Sequence, residues 1–204
     1  MRGASAQIGA FLQKRNGGLA VATSISPKRY DLVAQLLHWA MAGLLVYLIF
    51  FSKFETLSDA VMEGRIKLHS GLGLLIVLLG VFRLYWRQSR PRPAPLVGGP
   101  KWQTKAAEFI HWAFYALFLL TPAIGFALAG LVSYPVGVFG LIEVSGWLKD
   151  NESLAELVNS AHGFSADIMT VLLALHIAAA LYHQFVKHDG VIWRMIPYCR
   201  KRNN

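Results

Sequence analysis

Four long apolar stretches, each with a histidine inside it or at its lip, constrain this chain more than any other feature of its 204 residues. Crossing the hydrocarbon of a bilayer takes about 20 apolar residues in a helix. Stretches near 33–52, 67–86, 108–130 and 162–186 meet that length. The soluble alternative, four buried helices, needs amphipathic neighbours to cover them, and few residues remain for that purpose. With 55% hydrophobic and 15% charged residues, the composition sides with an integral membrane protein. The expected fold is all-α, a four-helix bundle embedded in lipid.

The formal charge of +9 is distributed as a topology signal. Spans in this order put the N-terminus, the connection after the second span and the C-terminus on one side. That side holds sixteen of the twenty basic residues, among them Arg83, Arg87, Arg90, Arg92 and Arg194. The other side has Lys53, Arg65, Lys67 and Lys149 beside seven carboxylates: Glu55, Asp59, Glu63, Glu143, Asp150, Glu152 and Glu156. Lysine and arginine accumulate on the cytoplasmic side of membrane proteins, so both termini are expected there. The basicity is therefore not a footprint for nucleic acid, for which the chain has no motif.

Residues 1–29 are polar, basic and rich in Gly, Ser and Ala, which predicts a flexible cytoplasmic arm. A signal peptide is excluded because the apolar run Leu19–Ala22 is short and preceded by glycines. Asp31 is placed to begin the first helix. The stretch 87–100, RQSRPRPAPLVGGP, holds four of the eight prolines and is expected to be an extended linker. Pro122 falls inside the third span, where Thr121 or a neighbouring helix would satisfy the freed carbonyl. The 131–159 loop is too broken for another span; it is expected to lie at the interface, with Tyr134 and Trp147 at headgroup level, or to form a lid. Residues 189–204 form a basic tail.

An imidazole in hydrocarbon is costly and needs a partner, and His38, His69, His162 and His176 are placed to share that need. His162 and His176 are 14 residues apart, a net rotation of about −40° and a rise of about 21 Å on an ideal helix. They leave one face of the fourth span in opposite halves of the membrane. One helix can thus offer a ligand to each of two haems. His69 matches His162 in depth. For His38, depth leaves both His176 and His183 open as partners. Small residues accompany the candidates (Ala40, Ala42 and Gly43; Gly71 and Gly73; Ala161 and Gly163; Ala174 and Ala178–Ala180) and give room for a flat porphyrin, although membrane helices use such residues for packing generally. A single cysteine, Cys199, excludes a disulfide framework and an iron–sulfur or zinc cluster. No C-x-x-C-H motif is present, so haem would be held without covalent attachment, as haem b.

Other polar groups have weaker claims. Arg83 lies 14 residues after His69, on the same face at the cytoplasmic end, where it could meet a haem propionate or a quinone, or simply extend to the interface. Arg65 and Lys67 precede His69 on the outer side and could hold propionates or attract an anion. His111 and His183 are candidates for quinone contact or proton delivery, and His188 reads as an interfacial side chain. Asp167 is expensive in the membrane unless paired.

The segments RYDLVAQLLHWAMAGLLV, IKLHSGLGLLIVLLGVFRLYWR, EFIHWAFYALFLLTPAIGF and NSAHGFSADIMTVLLALHIAAALYHQFVKHDGVIWRMIP occur in this order between residues 29 and 197. Together they resemble the bacterial cytochrome b561 family of diheme, four-helix inner-membrane proteins. The resemblance implies a cytochrome b domain over 30–188 with two b-type haems, His38 paired with His176 and His69 with His162. It also implies electron transfer between an outer-side donor and the quinone pool, with superoxide as one donor known in the family. The long N-terminal arm departs from shorter members and inherits no role. A rival reading is a cytochrome b anchor subunit passing electrons for a separate dehydrogenase or a small periplasmic redox protein. A haemless protein using its histidines for protons is a third.

Overall fold

A computed structural model describes residues 29–51, 59–94, 100–132, 137–139, 141–148 and 151–197. The arm before residue 29, Lys53, Tyr134 and the end of the tail with Cys199 lie outside the described residues. Four long helices dominate: α1 (Leu32–Phe51), α2 (Asp59–Ser89), α3 (Lys101–Leu131) and α4 (Glu152–Tyr182). All four are long and apolar enough to cross a membrane. No more than 22% of the apolar stretch of any of them is buried inside the protein. The remainder turns large side chains outward, including Leu78, Val81, Phe109, Leu119 and Phe164. In water such a surface would aggregate; in lipid it is the expected exterior.

Local chemistry sets the helix ends. The Asp31 carboxylate accepts the Ala34 N–H at 3.0 Å and caps α1, as the sequence leads one to expect. Asn151 does the same for α4 through the Leu154 N–H at 3.0 Å. Pro100 precedes α3, where its missing N–H costs nothing. After α4 the chain widens into a π-helical turn, His183–Lys187, ends on His188 in the left-handed region (φ 50°), and makes a short 3-10 turn at Ile192–Arg194.

Three of the helices outrun their apolar spans. The second begins at residue 59 rather than near 67, the third at 101 rather than 108, and the fourth at 152 rather than 162. Hydropathy reports only the lipid-facing part, whereas a helix continues into water through residues such as Glu63, Lys105 and Glu156. At 1.5 Å per residue a 31-residue helix is about 46 Å long, well beyond the roughly 30 Å of hydrocarbon. The proline-rich linker is correspondingly shorter, because α2 runs to Ser89.

The expected 131–159 loop contains a small antiparallel hairpin, β1 (Gly137–Val138) with β2 (Ile142–Glu143). It is fastened to α2 and to the end of α3 rather than free. The Ser70 hydroxyl donates to the Gly137 carbonyl at 2.6 Å, and the Phe139 N–H to the Lys67 carbonyl at 3.2 Å. Further along, the N–H groups of Gly146 and Leu148 donate to the carbonyls of Ala129 and Gly130 at the end of α3. Trp147 is exposed.

Helix packing is uneven. The helices α3 and α4 pack along their length, α1 rests on α2, and α2 on α3. Neither α1 nor α2 packs closely against α4. The buried residues between them include Leu37, Met41, Leu45, Ile76 and Met169. That spacing positions the site.

Candidate functional site

Two histidine couples span the gap between α4 and its neighbours. Near the hairpin end of the bundle His69 of α2 faces His162 of α4, with ring centres 6.0 Å apart. Nearer residues 29–31 and 191–197, at the end termed inner, His38 of α1 faces His176 of α4 at 6.2 Å. His69 and His162 each lie ten residues inside their helices, not at the ends, which follows from the longer helices. Of the two partners that depth left open for His38, the structure brings His176. His183 is instead held by Asp189, Nδ1 to Oδ2 2.5 Å, across the π-helical turn.

The separations have a chemical meaning. An imidazole nitrogen binds a first-row metal at about 2 Å, and the nitrogen is about 1 Å from the ring centre. Two imidazoles on opposite sides of one metal therefore have centres about 6 Å apart. Both couples meet that condition. His111 on α3 is also near His176, at 5.8 Å, but α3 and α4 are packed together, whereas α1 faces α4 across open space. That space is a cavity of about 750 Å³, lined by His38, His111 and His176, by Phe114 and Phe118, and by arginines at its mouth. Pockets for cofactors fall in this size range.

The two couples differ in what orients them. His162 Nδ1 donates to the Thr121 carbonyl at 3.0 Å. That bond holds the proton on Nδ1 and leaves the Nε2 lone pair for a metal, the arrangement typical of metal-binding histidines. Its ring lies against Gly125, where an added Cβ would meet Cε1 at 3.0 Å. Thr121 departs from expectation: its hydroxyl oxygen is buried without a hydrogen bond among the described residues, and it is the carbonyl that acts. His38 is opposite in character. Arg83 Nη2 lies 3.1 Å from its Nδ1, and a guanidinium has donors only. Nδ1 must accept, so a neutral His38 ring carries its proton on Nε2. Metal binding through Nε2 requires Arg83 to let go.

A family model described as prokaryotic cytochrome b561 matches residues 29–198. The chain belongs to this family. Its relatives include Escherichia coli (strain K12) cytochrome b561 homolog 2, 27% identical over 175 residues, covering 84% of this chain and 93% of the relative. Cytochrome b561 homolog 1 of the same organism is 30% identical over 129 residues, 63% of this chain and 73% of that protein. The probable superoxide oxidase CybB of Yersinia pestis is 28% identical over 179 residues, 83% and 97% of the two chains. As a cytochrome b561 protein the chain is a multi-pass membrane protein of electron transport, and its cofactor is b-type haem. The cavity, the ring separations and the Thr121-oriented imidazole all fit that cofactor.

The remaining candidates of the cytochrome are partly absorbed by structure. Lys67 is ion-paired with Glu63 one turn earlier, which spends its charge locally. Arg65 is half-buried, with Nη1 sealed from solvent. Asp167 and His188 are exposed. Gly71, expected to make room for porphyrin, makes room for the Phe139 ring instead: an added Cβ there would lie 2.6 Å from Cδ1. Gly43 and Gly163 do face open space.

Sequence reading missed the floor that the two ends of the described chain build under this cytochrome. Residues 29–31, 90–94 and 191–197 close the inner cavity from below. The Tyr30 N–H donates to the Arg194 carbonyl, and Gln35 Nε2 donates to the carbonyls of Tyr30 (2.8 Å) and Arg194 (3.3 Å). Trp39 Nε1 donates to the Met195 carbonyl at 2.8 Å, Arg29 to those of Trp193 and Ile196, and Arg194 to that of Ala94 at 2.8 Å. Trp86 Nε1 donates to Asp31 at 2.9 Å. The only linear hint was an aromatic and an arginine in IWRMIP, which composition files under basic tail.

Proposed function

We propose that this chain is a diheme b-type cytochrome that carries electrons between a donor on the outer side of the bacterial inner membrane and the quinone pool. The observation that carries this reading is geometric: two histidine couples, both with a member on α4, at 6.0 and 6.2 Å. His69 and His162 hold one haem b and His38 and His176 the other, all without covalent attachment. Haem held by these residues would supply one-electron chemistry at its iron.

This chain's own residues do the rest. Thr121 orients His162 through its carbonyl. Helices α1–α3 and the lipid exclude water from the couples. At the cytoplasmic end His183 donates its Nδ1 proton to Asp189, so Nε2 is the atom that exchanges a proton with a reduced or oxidised quinone. His111 and Arg83 line the same end, and the basic residues there support a cytoplasmic position for both termini.

The outer donor is a small redox species or protein. Superoxide is supported by the name of the Yersinia pestis relative, not by the outer field of this chain, where carboxylates outnumber bases and Lys67 is paired with Glu63. Electrostatic attraction of an anion thus rests on Arg65 and on Lys53, which lies outside the described residues. The test uses purified, haem-loaded protein mixed with a soluble quinol. Rapid reduction of haem, slowed by His183→Leu, supports the reading. Haem that stays oxidised in the presence of excess quinol contradicts it.

A further inference from the structure

The inner cavity has a mouth unlike its walls. Five arginines, Arg83, Arg87, Arg90, Arg92 and Arg194, line it together with one carboxylate, Asp31. Arg83, Arg87 and Arg90 are spaced i, i+4, i+7 on α2 and therefore form one stripe. Arg87 sits over the rings of Trp112 (5.6 Å) and Tyr115 (5.7 Å), and Arg90 over Trp86 (4.8 Å). Those aromatic faces hold the guanidinium planes while leaving most N–H donors unused. One carboxylate against five guanidinium groups leaves the rim positive, and Asp31 Oδ1 is turned to the Ala34 and Trp86 N–H groups. Next to the arginines stand the imidazoles of His38, His111 and His176, and deeper still the lining turns apolar, with Met41, Leu45 and Phe118.

One cavity thus recognises two properties at once: a flat apolar body near His38 and His176, and anionic oxygens at the cytoplasmic mouth. We infer that the Arg83–Arg87–Arg90 stripe, closed from below by Arg194, is a carboxylate clamp that seats the propionates of the inner haem facing the cytoplasm. The inference rests on the diheme reading above. Planar guanidinium pairs two-pronged with carboxylate, which suits arginine rather than lysine to this task. It also resolves the conflict at His38. A propionate offers Arg83 a stronger acceptor than Nδ1 does, and its departure returns the proton to Nδ1 and frees Nε2. The clamp therefore links haem seating to ligand readiness in the same move. The outer couple needs no such switch, because the Thr121 carbonyl already sets its tautomer.

The test compares the wild-type holoprotein with Arg87→Gln, Arg90→Gln, the double variant, and Arg90→Lys. Redox titration and transfer of haem to excess apomyoglobin are read together, with phospholipid analysis of each preparation. Losing a charge-assisted hydrogen bond weakens binding by roughly 1.5–3 kcal/mol, so one of the two haems should leave roughly tenfold to hundredfold faster. The midpoint of that same haem should fall, since a positive neighbour favours the reduced iron, and Arg90→Lys should restore most of the potential. The other haem should be unaffected. Two haems with unchanged midpoints and unchanged release in the double variant overturn the clamp while leaving the diheme reading intact. Unchanged haem with loss of bound anionic phospholipid overturns it as well and assigns the rim to a lipid headgroup. A wild-type preparation without haem fails the diheme reading itself.

Discussion

At the scale of single residues, the difference between His162 and His38 matters most. Both are imidazoles facing a partner on another helix, yet one has its Nδ1 proton held by a carbonyl and the other has its Nδ1 occupied by a guanidinium. Gly125 is part of the first arrangement, because the ring of His162 lies where a side chain would stand. Gly125→Val puts methyl groups into that space, an overpacking of about 1–3 kcal/mol. The expected outcome is loss of one haem per chain with retention of the other, measured by pyridine haemochrome against protein concentration. Full haem content in that variant would contradict the placement of His162. The histidines themselves were legible in the sequence, because an imidazole in hydrocarbon has few bland explanations. Thr121 and Gly125 were not: in TPAIG the proline draws attention as a helix irregularity, and nothing local says that the carbonyl before it is aimed at a histidine 41 residues away. Arg83 was legible as a residue of interest, but its partner was not.

At the scale of elements, the small hairpin shows how neighbouring helices organise a loop. Each of its strands is only two residues long, too short for any period to register in sequence. What holds it is side-chain and backbone hydrogen bonding to α2 and α3, with the Phe139 ring seated on Gly71 and the Trp147 ring on Gly130. Phe139 has a positive φ of 52°, a conformation that non-glycine residues adopt at a cost and that the surrounding contacts must outweigh. Gly71→Ala drives a Cβ into the ring and should destabilise the protein by about 1–3 kcal/mol. Adding Phe139→Ala should recover part of that loss, so the pair should be strongly non-additive in thermal unfolding followed by haem absorbance. Additive effects would mean that the hairpin does not rest where the structure places it. The lengths of α2, α3 and α4 were misjudged for a related reason. Apolar runs mark where lipid is, and helices go on past it.

At the scale of the whole molecule, the charge asymmetry and the lipid-facing exterior together set how the protein sits. Fold class, four spans and the order of the helices could be read from hydropathy alone, because a bilayer leaves few alternatives to the helix. The floor of the cavity could not, since its bonds join residues 29–35 to 193–196 and run mostly through backbone carbonyls, which carry no residue-specific signal. The single Cys199 gives a direct check on orientation. A membrane-impermeant thiol reagent should label it in inverted inner-membrane vesicles and leave it unlabelled in intact spheroplasts; the reverse pattern would turn the proposed direction of electron flow around. The central claim concerns the two couples on α4, and one measurement addresses it most directly: haem per polypeptide in the wild type and in the His69→Ala and His38→Ala variants, with reduced-minus-oxidised spectra. The account predicts two haems b in the wild type and one in each variant, with the two surviving spectra summing to the parent. One haem in the wild type, or two in either variant, would contradict it.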